Sequence, residues 1–352
     1  MIRSSLLCLA WCFCAAIAQA ADGPANNSPG NYLQRADVDA YIASLVAKHE
    51  FDREALRGLF AEVEYRKDII ERMLRPAEKV WTWARYQAHL VDEPRVAAGV
   101  EFWHQHGDTL ARAEATYGVP PEVVLAILGI ETRYGRIVGT FPVLDALVTL
   151  GFDYPPRGRF FRKELTEFLL LAREENKAPK AIVGSYAGAM GYGQFIPSSY
   201  RHYAVDFDGD GLRDIWTNPV DAVGSIGNYF ARHRWSGDQP RALRVSVSGD
   251  AAAKASETGL SLNRTVAELR DAGVVGFGET GSAEATDAML AGLDGATRAR
   301  LYRLDGAEGS EWWLALPDFY VITRYNHSHM YALAVHQLAQ AIRARYDAGD
   351  GS

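Results

Sequence analysis

The sequence predicts a mainly α-helical protein with a small α+β part inserted near its C-terminal end. Apolar residues recur at helical spacing over long stretches, beginning with Val38, Tyr41, Ile42, Leu45 and Val46. After about Pro240 the period changes: Leu243, Val245 and Val247 alternate with Arg244, Ser246 and Ser248, the pattern of a half-exposed strand. From Ser328 to Tyr346 the helical spacing returns.

Taken in order, Asp37 is expected to cap the first helix and Asp52 a second one through Ala55, Leu56, Leu59, Phe60 and Val63. Trp81, Trp83 and Tyr86 form an aromatic cluster, read as core packing with a ligand-stacking role for Tyr86 left open. A helix from about Arg95 to Tyr117 follows. Val143 to Leu150 reads as helix, Phe152–Gly158 as a loop, and Phe160 to Glu175 as an amphipathic helix. Gly188, Gly191 and Gly193 break the pattern, allowing a close approach of backbone or ligand, and Pro197 with Ser198 opens another helix. This is no phosphate loop, because the Lys-Ser/Thr ending is missing. Thr265 and Glu268 make a capping box, and Trp312–Leu316 and Phe319–Thr323 read as two strands joined at Pro317-Asp318.

The 352 residues are 48% hydrophobic and 23% charged, ordinary for a globular chain. A formal charge of −7 argues against a nucleic-acid partner, and no basic run suits an anionic membrane surface. Residues 1–20 read as a secretory signal: Arg3, the apolar run Leu6 to Ile17, then Ala18-Gln19-Ala20. All three cysteines (Cys8, Cys12 and Cys14) fall in this segment, so the mature form is expected to lack disulfides. Cys8 follows Leu7 and Cys12 follows Trp11, a poor match to a lipid-anchor site. The expectation is an exported, soluble monomer.

The most informative stretch is Val119 to Gly135. Pro120 and Pro121 can open a helix, Val123 to Ile130 is almost wholly apolar, and then comes Glu131. Glu131 shares the stripe of Val124, Ile127 and Leu128. A carboxyl among aliphatic side chains at a helix C-terminus resists ionisation, which suits a general acid working near neutrality. The plainer alternative is a surface pair with Arg133 or Arg136.

Asp206-Phe-Asp-Gly-Asp-Gly-Leu-Arg-Asp214 matches the opening of an EF-hand loop. Asp206, Asp208 and Asp210 stand at the first, third and fifth positions, Gly211 at the sixth and Asp214 at the ninth. The Leu212 carbonyl would serve the seventh. The twelfth position is Thr217 where a bidentate Glu is usual, and Asp221 is the candidate to close the shell. Alternate hard oxygens suit Ca²⁺ better than Mg²⁺, and the site reads as a staple; an acidic turn without metal is the alternative.

Four blocks now stand in order: Ile127-Leu-Gly-Ile-Glu-Thr-Arg-Tyr-Gly135, Ser185-Tyr-Ala-Gly-Ala-Met-Gly-Tyr-Gly-Gln-Phe-Ile-Pro-Ser-Ser-Tyr200, the acidic loop, and Thr323-Arg-Tyr-Asn-His-Ser328. Together they resemble the lytic murein transglycosylase B family over nearly the whole mature chain. The resemblance implies a lysozyme-like α-helical core with an N-terminal helical part and a small β-containing insertion. It implies cleavage of the β-1,4 bond between N-acetylmuramic acid and N-acetylglucosamine in peptidoglycan, with Glu131 making both proton transfers. By the same matching Ser185, Gln194, Tyr325 and Asn326 would line the sugar cleft, Tyr86 and Tyr229 would wall it, and Arg157 would meet the muramyl peptide or lactyl group. Pro156 departs from the family's paired arginines. The metal would sit on Asp206, Asp208, Asp210 and Asp221. The expected organisation is 1–20 signal, 21–80 linker and helices, 81–239 catalytic core with the calcium loop, 240–320 insertion, and 321–347 a returning strand end and helix.

Hydrolytic glycosidases use two carboxylates. Downstream of Glu131, Asp145 and Asp153 are the nearest acids in sequence, and read as a helix polar face and a loop solvator. A lone Glu suffices when the substrate supplies the nucleophile. The rivals are a hydrolytic lysozyme-type muramidase, a catalytically inactive calcium-stabilised wall-binding protein, and a calcium sensor, the last disfavoured by a single loop. Gln194 and Asn326 also suit loop-capping amides, and His327 and His329 suit packing or surface positions. Wall-synthesis proteins are the expected protein partners.

Overall fold

The computed structural model describes residues 29–74, 81–250, 259–276 and 283–349. The segment expected to be an export signal, with its cysteines, lies outside the described residues. The chain is predominantly helical, as expected. In order run α1 (Ala36–His49), α2 (Arg53–Ala61), α3 (Lys67–Met73), α4 (Trp83–Leu90), α5 (Glu93–Tyr117) and α6 (Pro121–Thr132). Next come β1 (Phe141–Pro142), α7 (Val143–Asp153), α8 (Gly158–Glu174), β2 (Val183–Gly184), α9 (Pro197–Tyr203) and α10 (Pro219–Arg232). The remainder is β3 (Ala242–Val247), β4 (Arg264–Thr265), α11 (Val266–Asp271), β5 (Val274–Gly276), α12 (Ala283–Gly292), β6 (Arg298–Gly306), β7 (Gly309–Ala315), α13 (Pro317–Tyr325) and α14 (His329–Asp347). Among the described residues no single helix is long and apolar enough to cross a membrane. The chain divides into two units, residues 1–76 with 135–222, and residues 77–134 with 223–352.

In the first unit Asp52 caps α2 as expected, accepting the Ala55 amide at 2.7 Å. Asp37 does not cap α1. The cap is Arg35, buried and tied to Asp153 at 2.5 Å, which fixes the chain one residue before Ala36. Asp37 instead lies in the first turn, where it pairs with Arg35 and complements the helix dipole. Asp145 and Asp153 are not solvated either. Asp145 accepts the Glu64 amide, and Asp153 takes both Arg35 and the Tyr32 hydroxyl, so each carboxylate braces buried structure. The loop expected at Phe152–Gly158 is almost filled: α7 runs through Asp153, and Pro155–Arg157 makes one 3₁₀ turn directly into α8. Two prolines pre-set that turn. Phe161, Leu165, Phe168, Leu169 and Ala172 give α8 its buried face, against α7 and α9. Glu164 sits on that face because it caps α9, accepting the Ser198 amide and hydroxyl, both at 2.9 Å.

In the second unit α6 is buried on all sides, and packs on α5 and α14. Burying Val123, Val124, Leu125, Ile127 and Leu128 contributes about 1.5–3 kcal/mol each, which makes α6 a rigid mount for whatever its end carries. The five-stranded antiparallel sheet has the order β4-β6-β7-β3-β5. The strand expected from Leu243 to Val247 is β3, and the Thr265–Glu268 capping box opens α11. Leu243, Val245, Leu301 and Leu314 pack on one sheet face with Val266, Leu269 and Leu290. On the other face Tyr302 stacks on His329 at 4.9 Å, and Trp313 meets His336 edge-on. Phe319–Thr323, expected as a strand, belongs to α13. Pro317 occupies the first turn and Phe319, Val321, Ile322 and Tyr325 are buried together; a short apolar run does not by itself distinguish strand from buried helix.

Candidate active site

Glu131 is the penultimate residue of α6, partly exposed beyond the buried run that precedes it. The Tyr331 hydroxyl, from the first turn of α14, donates to Glu131 Oε1 at 2.5 Å. Arg133 is directed elsewhere: its guanidinium meets Asp92 at 3.1 Å. Around the carboxylate stands a group of phenols. Tyr325 lies edge-on to Tyr229 with ring centroids 4.8 Å apart, and Phe230 stacks on Tyr325. Tyr229 donates to the Arg324 carbonyl at 2.6 Å. Burial first, and then the charge of Glu131, hold the Tyr331 and Tyr325 hydroxyls well above the ordinary tyrosine range. Both remain neutral donors at any working pH.

Tyr331 was not among the residues singled out from the sequence. Two hundred positions separate it from Glu131, and its only local signal is an aromatic ring just after the Tyr325-Asn326 block. Tyr86 is 1% exposed and packs with Trp81 and Trp83, so the structure gives its ring the core role and presents no open face for stacking. Asn326, 2% exposed, ends α13, and its carbonyl accepts the Ser328 amide at 2.7 Å. Its side-chain Nδ2 has no hydrogen-bond partner among the described residues. His329 packs on Tyr302 as expected, and burial pushes His329 and His327 down to about 4.

In the first unit Ser185 and Gln194 belong to one folded loop. Ser185 Oγ accepts the Ala189 and Ala187 amides at 3.0 and 3.3 Å, and Met190 pairs with Phe195 through two backbone bonds. Gly191 has φ +66°, and a Cβ there would lie 2.3 Å from the Ile215 carbonyl oxygen, so only glycine fits. Gln194 itself has φ +51°, uncommon for a side-chain-bearing residue. Its Nε2 donates to Gly191 and Val138 carbonyls at 3.0 and 3.2 Å, the loop-capping alternative in geometric form. Arg157 lies outside this loop, with its guanidinium 4.2 Å from the Phe160 ring centroid.

The acidic loop brings one carboxylate oxygen each from Asp206, Asp208 and Asp210 within 4.8 Å of one another. This donor set, three hard anionic oxygens converging at partly and fully exposed positions, fits a hard divalent cation. Asp206 also accepts the Gly209, Asp210 and Gly211 amides, which fold the turn. Asn218 Nδ2 donates to Asp208 at 2.7 Å; that bond, with the Asp210 amide, holds Asp208 below the usual carboxylate range. Leu212 has an exposed side chain, so only its main chain suits a ligand role. Asp214 and Asp221 stand outside the convergent three. Asp214 accepts from Trp216 and Thr217. Asp221, fully buried, takes the Phe207 and Asp214 amides, both at 2.7 Å, and so ties the two ends of the loop. Its burial pushes its pKa up against the pull of those amides.

The family model described as "Transglycosylase SLT domain" matches residues 34–340. The chain is 41% identical over 324 residues to membrane-bound lytic murein transglycosylase B of Escherichia coli (strain K12), covering 89% of this chain and 84% of that protein. It is similar to the crystal structure of soluble lytic transglycosylase SltB1 from Pseudomonas aeruginosa, with TM-score 0.80 and 45% identity over 88% of this chain and 99% of that one. Escherichia coli lytic transglycosylase Slt35 in complex with calcium gives TM-score 0.78 and 38% identity over 91% and 97% of the two chains. SltB3 from Pseudomonas aeruginosa in complex with NAG-NAM-pentapeptide gives 0.72 and 31%, over 87% and 79%. The chain belongs to the transglycosylase SLT domain family.

Proposed function

We propose that this chain is a peptidoglycan lytic transglycosylase that breaks the β-1,4 bond between N-acetylmuramic acid and N-acetylglucosamine without consuming water, with Glu131 as acid and then base. The observation that carries the reading is the placement of Glu131: a carboxylate at the end of a helix buried along almost its whole length, oriented by the neutral Tyr331 hydroxyl. Family membership supplies the reaction class. Protonated Glu131 gives its proton to the glycosidic oxygen as the bond from the muramyl C1 to that oxygen breaks. Neighbouring oxygens, the substrate's own N-acetyl group among them, stabilise the oxocarbenium-like charge. The muramyl C6 hydroxyl oxygen then bonds to C1 and its proton passes to the Glu131 carboxylate. The product is a 1,6-anhydro ring and the acid is regenerated. Tyr331 donates to Glu131 Oε1 and so helps to fix the orientation of the carboxylate.

The same reading gives Ser185, Gln194, Tyr325, Asn326, Tyr229 and Arg157 to glycan and stem-peptide contact. Asn326 has the clearest support, since a buried amide donor with no acceptor among the described residues is a group a ligand would satisfy. Asp206, Asp208 and Asp210, with the Leu212 carbonyl, would hold Ca²⁺ as a structural staple, with Asp221 bracing the loop. The similarity to Slt35, solved with calcium, supports the choice of metal. The enzyme would work in the cell envelope on peptidoglycan strands, in keeping with the SltB3 complex with a peptidoglycan fragment. Digestion of purified sacculi followed by mass spectrometry tests the chemistry. Only 1,6-anhydromuropeptides are expected, and products with reducing muramyl ends would establish the hydrolytic rival.

A further inference from the structure

Arg95 is 4% exposed and lies in the first turn of α5, on no sugar-facing motif. Its guanidinium reaches three chain segments. Nη1 donates to the His89 and Leu90 carbonyls at the end of α4 (3.0 and 2.7 Å) and pairs with Asp92, the cap of α5, at 3.1 Å. Nε donates to the Gly129 carbonyl of α6 at 2.9 Å. That carbonyl also accepts the Arg133 amide, the bond that closes the C-terminal turn around Glu131. Asp92 then takes Arg133 as well, at 3.1 Å. The Arg95 main-chain oxygen accepts the Tyr134 hydroxyl at 2.9 Å, and a Cβ at either Gly99 or Gly129 would collide with that hydroxyl.

Helix ends normally fray, because their last carbonyls lack partners. Here Arg133 and Tyr134 both adopt left-handed backbone, one and two residues past the end of α6, where side chains rarely go unless held. A buried cation bonded to Gly129 two residues before Glu131, and linked through Asp92 to Arg133 two residues after it, clamps the backbone on both sides of the carboxylate. A surface Arg would add charge but no such registration. We propose that Arg95 is a positioning residue for Glu131, holding the end of α6 so that the carboxylate stays in the geometry of proton transfer. This rests on the assignment of Glu131 above.

A displaced acid weakens the transition state more than substrate binding, so kcat carries the loss and KM does not. Arg95→Met, Arg95→Lys, Arg133→Met and Glu131→Gln are to be assayed on sacculi below their melting temperatures, with rates normalised to folded protein. Arg95→Met is expected to lower kcat by about ten- to a hundredfold with KM within about twofold. Arg95→Lys, keeping the charge without the fork, is expected to recover part of that loss. Arg133→Met, at a side chain 39% exposed and so expected to leave the fold intact, should lower kcat several-fold. Parental kcat per folded molecule in Arg95→Met overturns the inference, as does parental kcat in Arg133→Met should Arg95→Met not fold. An active Glu131→Gln enzyme would instead bring down the catalytic assignment itself, so the two failures are distinguishable.

Discussion

The acidic loop of the first unit and the end of α6 in the second place carboxylates in opposite surroundings. Asp206, Asp208 and Asp210 crowd together and share backbone amides and one Asn218 amide. Every one of those partners favours the charged form, and so would a cation. Glu131 has aliphatic helix behind it and a ring of phenols in front, one of which donates to it. On the function proposed above, the loop would keep charge, whereas the helix end would let one carboxyl gain and lose a proton in a fixed place. On that proposal, carboxyl groups of the same chemistry would divide into a staple and an acid by environment alone.

The largest expected effect breaks the second half of that comparison. Glu131→Gln keeps size and hydrogen-bonding ability but removes the transferable proton, so activity on sacculi should fall by about 10²–10⁴-fold, with the circular dichroism spectrum unchanged. The acidic loop should respond in the opposite sense. Chelation of divalent cations should leave the residual rate at low temperature nearly intact while lowering stability by about 2.7 kcal/mol for a cation present at a hundred times its Kd. A thermal melt with and without chelator measures it, and equal curves would remove the metal from the account. Tyr331→Phe sharpens the contrast with less force. Loss of a hydrogen bond to a charged group costs about 1.5–3 kcal/mol, or roughly ten- to a hundredfold in kcat, and the melting temperature should move little in comparison.

The sequence made the loop legible almost residue by residue, because alternating aspartates and Gly211 act locally. Its limit was Asp221, whose partners Phe207 and Asp214 show a brace that no spacing rule describes. The helix end was legible only in part. Apolar periodicity and two prolines disclosed α6 and its terminal carboxylate, but Tyr331 and Arg95 reach Glu131 and Gly129 through tertiary contacts that leave no local pattern. The same cause turned the expected strand at Phe319–Thr323 into α13, since burial on all sides erases the period that separates the two structures. Asp37, expected as a cap, and Asp153, expected as a loop solvator, misled for a related reason: both pair with the buried Arg35, which no local pattern announces.

Acid titration separates the two regions with the smallest effect of the set. His336 is buried in the second unit, where Nδ1 accepts from Arg241 Nε at 3.4 Å, and burial, then the Arg241 charge, push it down to about 3. The unfolded chain takes up that proton near pH 6.5 and the folded chain does not, so the unfolded state binds more protons between about 3 and 6.5. The stability contributed by neutral His336 is complete above pH 6.5 and falls by up to about 1.4 kcal/mol per pH unit as the solution is acidified through that window. In the acidic loop Asp208 is held below its ordinary value chiefly by Asn218, so that group keeps its charge further into acid than a free carboxylate does. Denaturant melts at several pH values should therefore show His336→Gln flattening the slope between pH 6.5 and 4 without altering the acid limb below it. An unchanged slope in that variant would mean that His336 already carries a proton in the folded protein, and that the interior around α14 tolerates charge as the acidic loop does.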